Sequence, residues 1–421
     1  MFSKSGKIMR MVGLLILFLV LFNAVSIAND ITITWLAGNH EQPQIKPLRL
    51  RLVKEFEELH PGVKIELQTP PFAEFWTKFS IMARAGETPD INTVGCELLG
   101  SAVDQGWVMC LDKFVTEEDK ENVYEMTIKG AMVDGRIYAW PFWGGVFGTL
   151  YNKRLVMEAG LDPDNLPETW DEYLEWVLKM NNPPVYGYVG MWKKDYNLFQ
   201  QHLGRLYSNG GALLNDDFTK CLLDQPEAVE TLRFWTDLYT KYNAVPPGPT
   251  TYSYPELTRD FAYEVAATMQ NCFWALPKLL GDNPEGMKDN ILIGPNPYRK
   301  IRTTYAKIVY LTIGANSKHP DMAWEFIKYI NSREAVAERA IRAQWMPFRK
   351  DVINTPEVQN APELKIFLGF MESAKTNPNV PQINEIKDIV IEMVQSVLVG
   401  QATPEEASIK ATKEIDEIIA R

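Results

Sequence analysis

Apolar and polar positions alternate in short runs, and between those runs apolar residues recur at three- and four-residue steps. Ile31-Thr32-Ile33-Thr34-Trp35 alternates and predicts a first strand. Ile45, Leu48, Leu52, Phe56 and Leu59 then share one helical face, and Pro61-Gly62 ends that helix. Residues 63–67 (VKIEL) give a second strand. Strand, helix and strand in this order form a βαβ unit, which sets the two strands parallel. In α/β sheets ligands sit beyond the carboxyl ends of such strands, so residues 37–42 and 69–76 become candidate binding segments. Residues 75–85 read as a helix stopped by Gly86, and 89–94 as the next strand, followed by Gly95-Cys96-Glu97.

The stretch 130–153 (GAMVDGRIYAWPFWGGVFGTLYNK) changes register. Asp134-Gly135 between strand-like runs predicts a hairpin with a type I′ turn. Pro141 then breaks the pattern, Trp143-Gly144-Gly145 follows, and a new apolar strand runs to Tyr151. Beyond it, Thr169 and Glu172 form a capping box. Residues 185–191 read as a strand ending at Trp192, and Pro226 opens a helix with Leu232, Trp235 and Leu238 inward. Residues 265–269 read as a buried strand whose terminal loop carries Asn271 and Trp274. Further strands are expected at 291–293 and 309–313, a helix from Pro320, an interruption at Trp345, and two last helices divided by Gly400, with Thr403 and Glu406 capping the second. The same βα grammar on both sides of residue 145 implies two α/β domains.

Composition adds three constraints. A chain of 421 residues exceeds one ordinary core, in agreement with two domains. The first 28 residues are a separate device: Lys4, Lys7 and Arg10, an apolar run over 11–22, and small residues at Ser26 and Ala28 predict export and cleavage after Ala28. No Cys lies near that point, so a lipid anchor is not expected. Loss of those three cations takes the formal charge from −11 to −14, which argues against nucleic acid and anionic membrane as partners. Cys96, Cys110, Cys221 and Cys272 allow three disulfide pairings or four free thiols, and their spacing chooses none of these. No CxxC pair or Cys/His cluster supports a metal site, and no cofactor is expected. Twelve Trp residues invite a search for an aromatic-lined site.

Several segments taken in order resemble one family: ITITWLAG, FEELHPGVKIEL, GETPDINTV, QGWVMCLDKF, DGRIYAWPF with LYNKRLVMEAGLDP, PETWDEYLEW, AATMQNCFWAL, IGANSKHPDMAWEFIKYI, WMPFRKDV and GQATPEEASIKATKEID. They are similar to the extracellular solute-binding proteins of ABC importers, in the maltose-binding-like group (family 1), and cover nearly all of the chain after residue 28. The resemblance implies a two-lobed periplasmic-binding-protein fold, each lobe a mainly parallel sheet flanked by helices, with a hinge crossed three times. The expected lobes are 29–143 with 294–331, and 144–293 with 332–421. The resemblance also implies a periplasmic or extracellular monomer that captures a carbohydrate in the cleft and delivers it to a separate membrane permease by hinge closure.

A sugar presents C–H faces, which aromatic rings cover, and hydroxyl rims, which amides and carboxylates bond. On position and resemblance together, the candidate ligand contacts are Asn39, His40, Glu41, Trp76, Glu97, Trp143, Gly145, Trp192, Asn271, Trp274 and Trp345. Trp170, Trp176, Trp235 and Trp324 lie on helical faces and are expected in the core. Two alternatives stay open. A polyol or glycerol phosphate ester would need a basic cradle, for which Lys307, Arg302 and Arg342 are the candidates. A secreted glycoside hydrolase would need two carboxyl groups at a set separation, and no pair stands out. A binding protein without catalysis is therefore the expectation.

Overall fold

The structure, a computed structural model, describes residues 31–38 and 42–421. The expected leader at 1–28 and the candidate contacts Asn39, His40 and Glu41 lie outside the described residues. Ten strands are named in chain order: β1 Ile31–Leu36, β2 Val63–Gln68, β3 Ile91–Gly95, β4 Met132–Val133, β5 Arg136–Ile137, β6 Trp140–Val146, β7 Gly148–Asn152, β8 Thr268–Asn271, β9 Ile291–Gly294 and β10 Ala306–Ile313.

The first sheet has the order β2-β1-β3-β10-β6. β1 pairs parallel with β2 in the register Ile31↔Val63, as a βαβ unit requires, and the Lys46–Leu59 helix forms the crossover. Its buried face carries Leu48, Leu52, Val53 and Phe56, together with Arg49. β10 comes from late in the chain and runs antiparallel to both β3 and β6. The Asp-Gly hairpin forms as expected: β4 pairs with β5, and Asp134 and Gly135 take φ of 49° and 75°.

Pro141 lies inside β6 rather than ending it. Val309 pairs with Trp143 and Tyr310 with Pro141, so Phe142 is an extra residue in a β-bulge. A bulge accommodates a residue without an N–H, because the ladder is already interrupted there. β6 then continues: Gly144, Gly145 and Val146 pair with Ile308, Lys307 and Ala306. The first passage between sheets therefore falls at Phe147, three residues later than the expected boundary.

The second sheet has the order β8-β7-β9, antiparallel throughout, and Tyr186 and Val189 bridge in parallel to Ala266 and Met269. The Trp170–Met180 helix is anchored at its start by the Thr169–Glu172 capping box, and the last helix by Thr403–Glu406. Between the sheets several strands of chain lie together. The Phe147 N–H donates to the Tyr305 carbonyl at 3.1 Å, and the Lys375 N–H to the Thr304 carbonyl at 2.9 Å.

The expected lobes divide again between residues 331 and 332. The Arg333–Ala343 helix stays against the first sheet, because Glu338 pairs with Arg51 and the Arg339 guanidinium donates to the Phe142 carbonyl at 2.8 Å. That carbonyl belongs to the bulged residue. The chain continues along the first sheet's helices, where the Tyr124 N–H donates to the Phe348 carbonyl and the Lys350 N–H to the Asn122 carbonyl.

Candidate functional site

The two sheets meet where β6 gives way to β7. From the second sheet, β8 ends with Asn271 paired to Gly148, and the chain turns through Cys272 and Phe273 to Trp274, the N-cap of the Ala275–Asp282 helix. The Trp274 ring lies directly on the backbone of Gly145. A Cβ added at Gly145 would stand 2.2 Å from Trp274 Cζ3, 2.6 Å from Cη2 and 2.9 Å from Cys272 Cβ. Only a glycine leaves room for the ring in this position. Trp274 is half-buried, with its back against Gly145. Beside it, Asn271 Oδ1 accepts the Cys272 N–H at 2.8 Å, while its buried Nδ2 has no partner. An aromatic face and an unclaimed amide donor are thus brought to the junction of the two sheets.

Trp143 and Trp345 stack on each other with centroids 4.0 Å apart and planes 17° from parallel. They are only 6% and 4% exposed, so each mainly supports the other. The Met346 N–H donates to the Gly144 carbonyl at 2.9 Å and fixes the stack to β6. Glu97 is half-buried in the first turn of the Cys96–Asp104 helix, where the positive end of the helix dipole suits a carboxylate. Its carboxylate folds over Gly95, within 2.4 Å of where a Cβ would stand.

Two further predicted contacts pack elsewhere. Trp192 is 1% exposed; its ring packs against Tyr188 and the Arg205 guanidinium, and Gln395 Nε2 donates to its carbonyl at 2.8 Å. It is a core residue, because a long cationic side chain beneath it provides the flat partner that a ligand would otherwise supply. Trp76 belongs to the Phe72–Arg84 helix and packs with Phe79 and Trp107 in a small satellite core, with part of its ring exposed.

A family profile described as bacterial extracellular solute-binding protein matches residues 43–337. The chain belongs to that family. This solute-binding protein is similar to a maltotriose-binding protein of Pyrococcus abyssi, at 24% identity over 88% of this chain and 78% of that one. Among solved structures it is similar to an ABC-transporter solute-binding protein of Thermotoga lettingae bound with α-D-tagatose, at 27% identity and a TM-score of 0.80, covering 92% of this chain and all (100%) of that one. Maltose-bound MalE3 of T. maritima is 26% identical with a TM-score of 0.77, over 92% and 100% of the two chains.

Sequence reasoning did not single out a second cluster in this solute-binding protein. Tyr196, at the start of the Tyr196–Ser208 helix, places its hydroxyl 2.9 Å from the Tyr305 hydroxyl and 3.6 Å from Cys96 Sγ. The Tyr305 hydroxyl donates to Asn377 Oδ1 at 2.7 Å. Lys307 Nζ stands 5.3 Å above the Tyr196 ring. Burial pushes the Cys96 thiol and both phenols up, so all three stay neutral hydrogen-bonding groups. These residues come from four distant stretches, and the only signal available was Lys307 at the start of a strand. The basic cradle weighed for a phosphate does not assemble: Arg302 pairs with Glu168, and Arg342 with Glu338 at 2.6 Å. Cys96, Cys110, Cys221 and Cys272 are all free thiols.

Proposed function

We propose that this protein captures a carbohydrate, a mono- or oligosaccharide, outside the cytoplasmic membrane and delivers it unaltered to the permease of an ABC importer. One observation carries the reading: the half-buried Trp274 ring, backed by Gly145, beside the unclaimed Nδ2 of Asn271. A pyranose or furanose offers an apolar C–H face for the ring and hydroxyls for the amide. A polar group placed for a hydroxyl also rejects ligands that lack one, since it would stay unpaired. The names of the Pyrococcus and Thermotoga proteins, which speak of maltotriose, tagatose and maltose, support the same class of ligand.

In this reading the first lobe comprises 31–146 with 306–354, and the second 148–294 with 356–421, with the leader at 1–28 removed on export. Ligand shifts the lobes toward closure by binding the closed arrangement better than the open one. The test is a calorimetric and tryptophan-fluorescence screen of residues 29–421 against mono-, di- and oligosaccharides and polyols. Saturable binding with the sugar recovered intact is the expected result. Turnover of a glycoside, abolished by one carboxylate substitution, would replace capture with catalysis.

A further inference from the structure

Behind the bulge in β6 lie two buried arginines that the binding cleft does not use. Arg49, from the Lys46–Leu59 helix, and Arg339, from the Arg333–Ala343 helix, are each 4% exposed. They approach the ring of Phe142, with guanidinium carbons 5.8 Å and 4.3 Å from its centroid. Arg339 is fully explained. Its Nη1 donates to the Ile330 carbonyl at 3.0 Å, and its Nη2 to Asn331 Oδ1 at 2.9 Å and the Phe142 carbonyl at 2.8 Å. It thus caps a helix C-terminus and the bulge together.

Arg49 is not explained. Its Nη1 donates to the Gly38 carbonyl at 3.0 Å and its guanidinium faces the Trp35 ring at 5.0 Å, but its buried Nη2 has no partner. No carboxylate among the described residues pairs with either arginine. On the two helices that supply them, Glu55 pairs with Arg51, Glu57 with Lys64, and Glu338 with Arg51 and Arg342. Burial lowers both guanidiniums to about 9, with the charge of Arg49 adding to the shift at Arg339, so both remain cationic at neutral pH. Two buried positive charges with no acid among the described residues to pair them are costly unless an anion joins them. Both line one cavity of about 10 Å³, together with Trp35, Ile45, Leu48 and Ile330. That volume admits about one water-sized particle.

We propose that this cavity is a site for a small monovalent anion of the chloride class, held by Arg49 Nη2 in the field of Arg339. The small volume favours a single-atom ion over sulfate or phosphate, and the largely apolar lining favours a spherical ion over an oxyanion. Gly38 lies just beyond β1 and Phe142 on β6, so an anion there would brace both strands from behind.

Two measurements test this. Crystals of residues 29–421 soaked in sodium bromide should show an anomalous peak within hydrogen-bonding reach of Arg49 Nη2. Raising chloride from about 10 mM to about 1 M, with sodium gluconate holding ionic strength constant, should raise Tm by about 2 °C or more. Arg49→Met should abolish that anion-specific rise. No bromide peak in the cavity, or the same Tm in gluconate as in chloride, overturns the proposal. If Arg49→Met does not fold, the wild-type crystal decides.

Discussion

Replacing Gly145 by Ala adds one methyl group, and its consequence follows from the packing of Trp274. The new Cβ would stand 2.2 Å from Cζ3 of the ring. Non-bonded carbons separate by about 3.5 Å, so the ring must retreat by roughly 1.3 Å. The new methyl also stands 2.9 Å from Cys272 Cβ, so it presses on a second neighbour. A Trp side chain carries about 200 Å² of surface, and one face is roughly half of that. At about 25 cal/mol per Å², losing that face costs about 2.5 kcal/mol. A tilted ring keeps part of the contact, so a ten- to fiftyfold weaker Kd is expected, about 1.4–2.3 kcal/mol. Calorimetry with the tightest sugar of the screen measures it, with circular dichroism to confirm the fold. Trp274→Ala should weaken binding at least about tenfold, and adding Gly145→Ala to it should change little, because both act through one ring. Unchanged affinity in Gly145→Ala, or losses that simply add in the double variant, would refute the reasoning.

Three further outcomes are expected. His202 is buried, and burial, aided by Arg205, lowers it to about 3. The unfolded chain takes up a proton near the usual histidine value while the folded protein does not. Stability is therefore complete above about pH 6.5 and falls by about 1.4 kcal/mol per pH unit below it. Urea unfolding at pH 7 and pH 4.5 should show His202→Gln losing less stability than wild type across that interval. Thr169→Ala removes the capping box and should cost about 1 kcal/mol, read as a lower urea midpoint. A thiol-reactive dye should titrate four groups in guanidinium but only Cys110 in the native protein, since Cys96, Cys221 and Cys272 are buried; fewer than four groups after unfolding would indicate a disulfide.

The Asn271–Trp274 end of the proposed site could be picked out from the sequence because it is local: an apolar run ends, and an amide and an indole follow at a sheet's edge. Trp192 was read in the same way, at the end of the 185–191 run, and lies in the core. Nothing within a few residues of either indole distinguishes them. What does is a glycine 129 positions before Trp274 and an arginine thirteen positions after Trp192, one leaving an open face and the other covering it. The Tyr196–Tyr305–Asn377 cluster was hidden for the same reason, since its members meet only through folding.

The sequence by itself determined the features that a few neighbouring residues decide. These are the Asp134-Gly135 turn, the Thr169 and Thr403 capping boxes, the βαβ start and the two α/β domains, each set by backbone φ, local hydrogen bonds or apolar period. Only the tertiary structure decided where the chain passes between sheets. β6 runs on to Val146 because β10, arriving from 160 residues away, supplies its hydrogen bonds. The Arg333–Ala343 helix stays with the first sheet, where Arg339 donates to the carbonyl of the bulged residue, Phe142. Bonds between distant segments have no periodicity to announce them, and they bring Gly145 and Trp274 together where the two sheets meet.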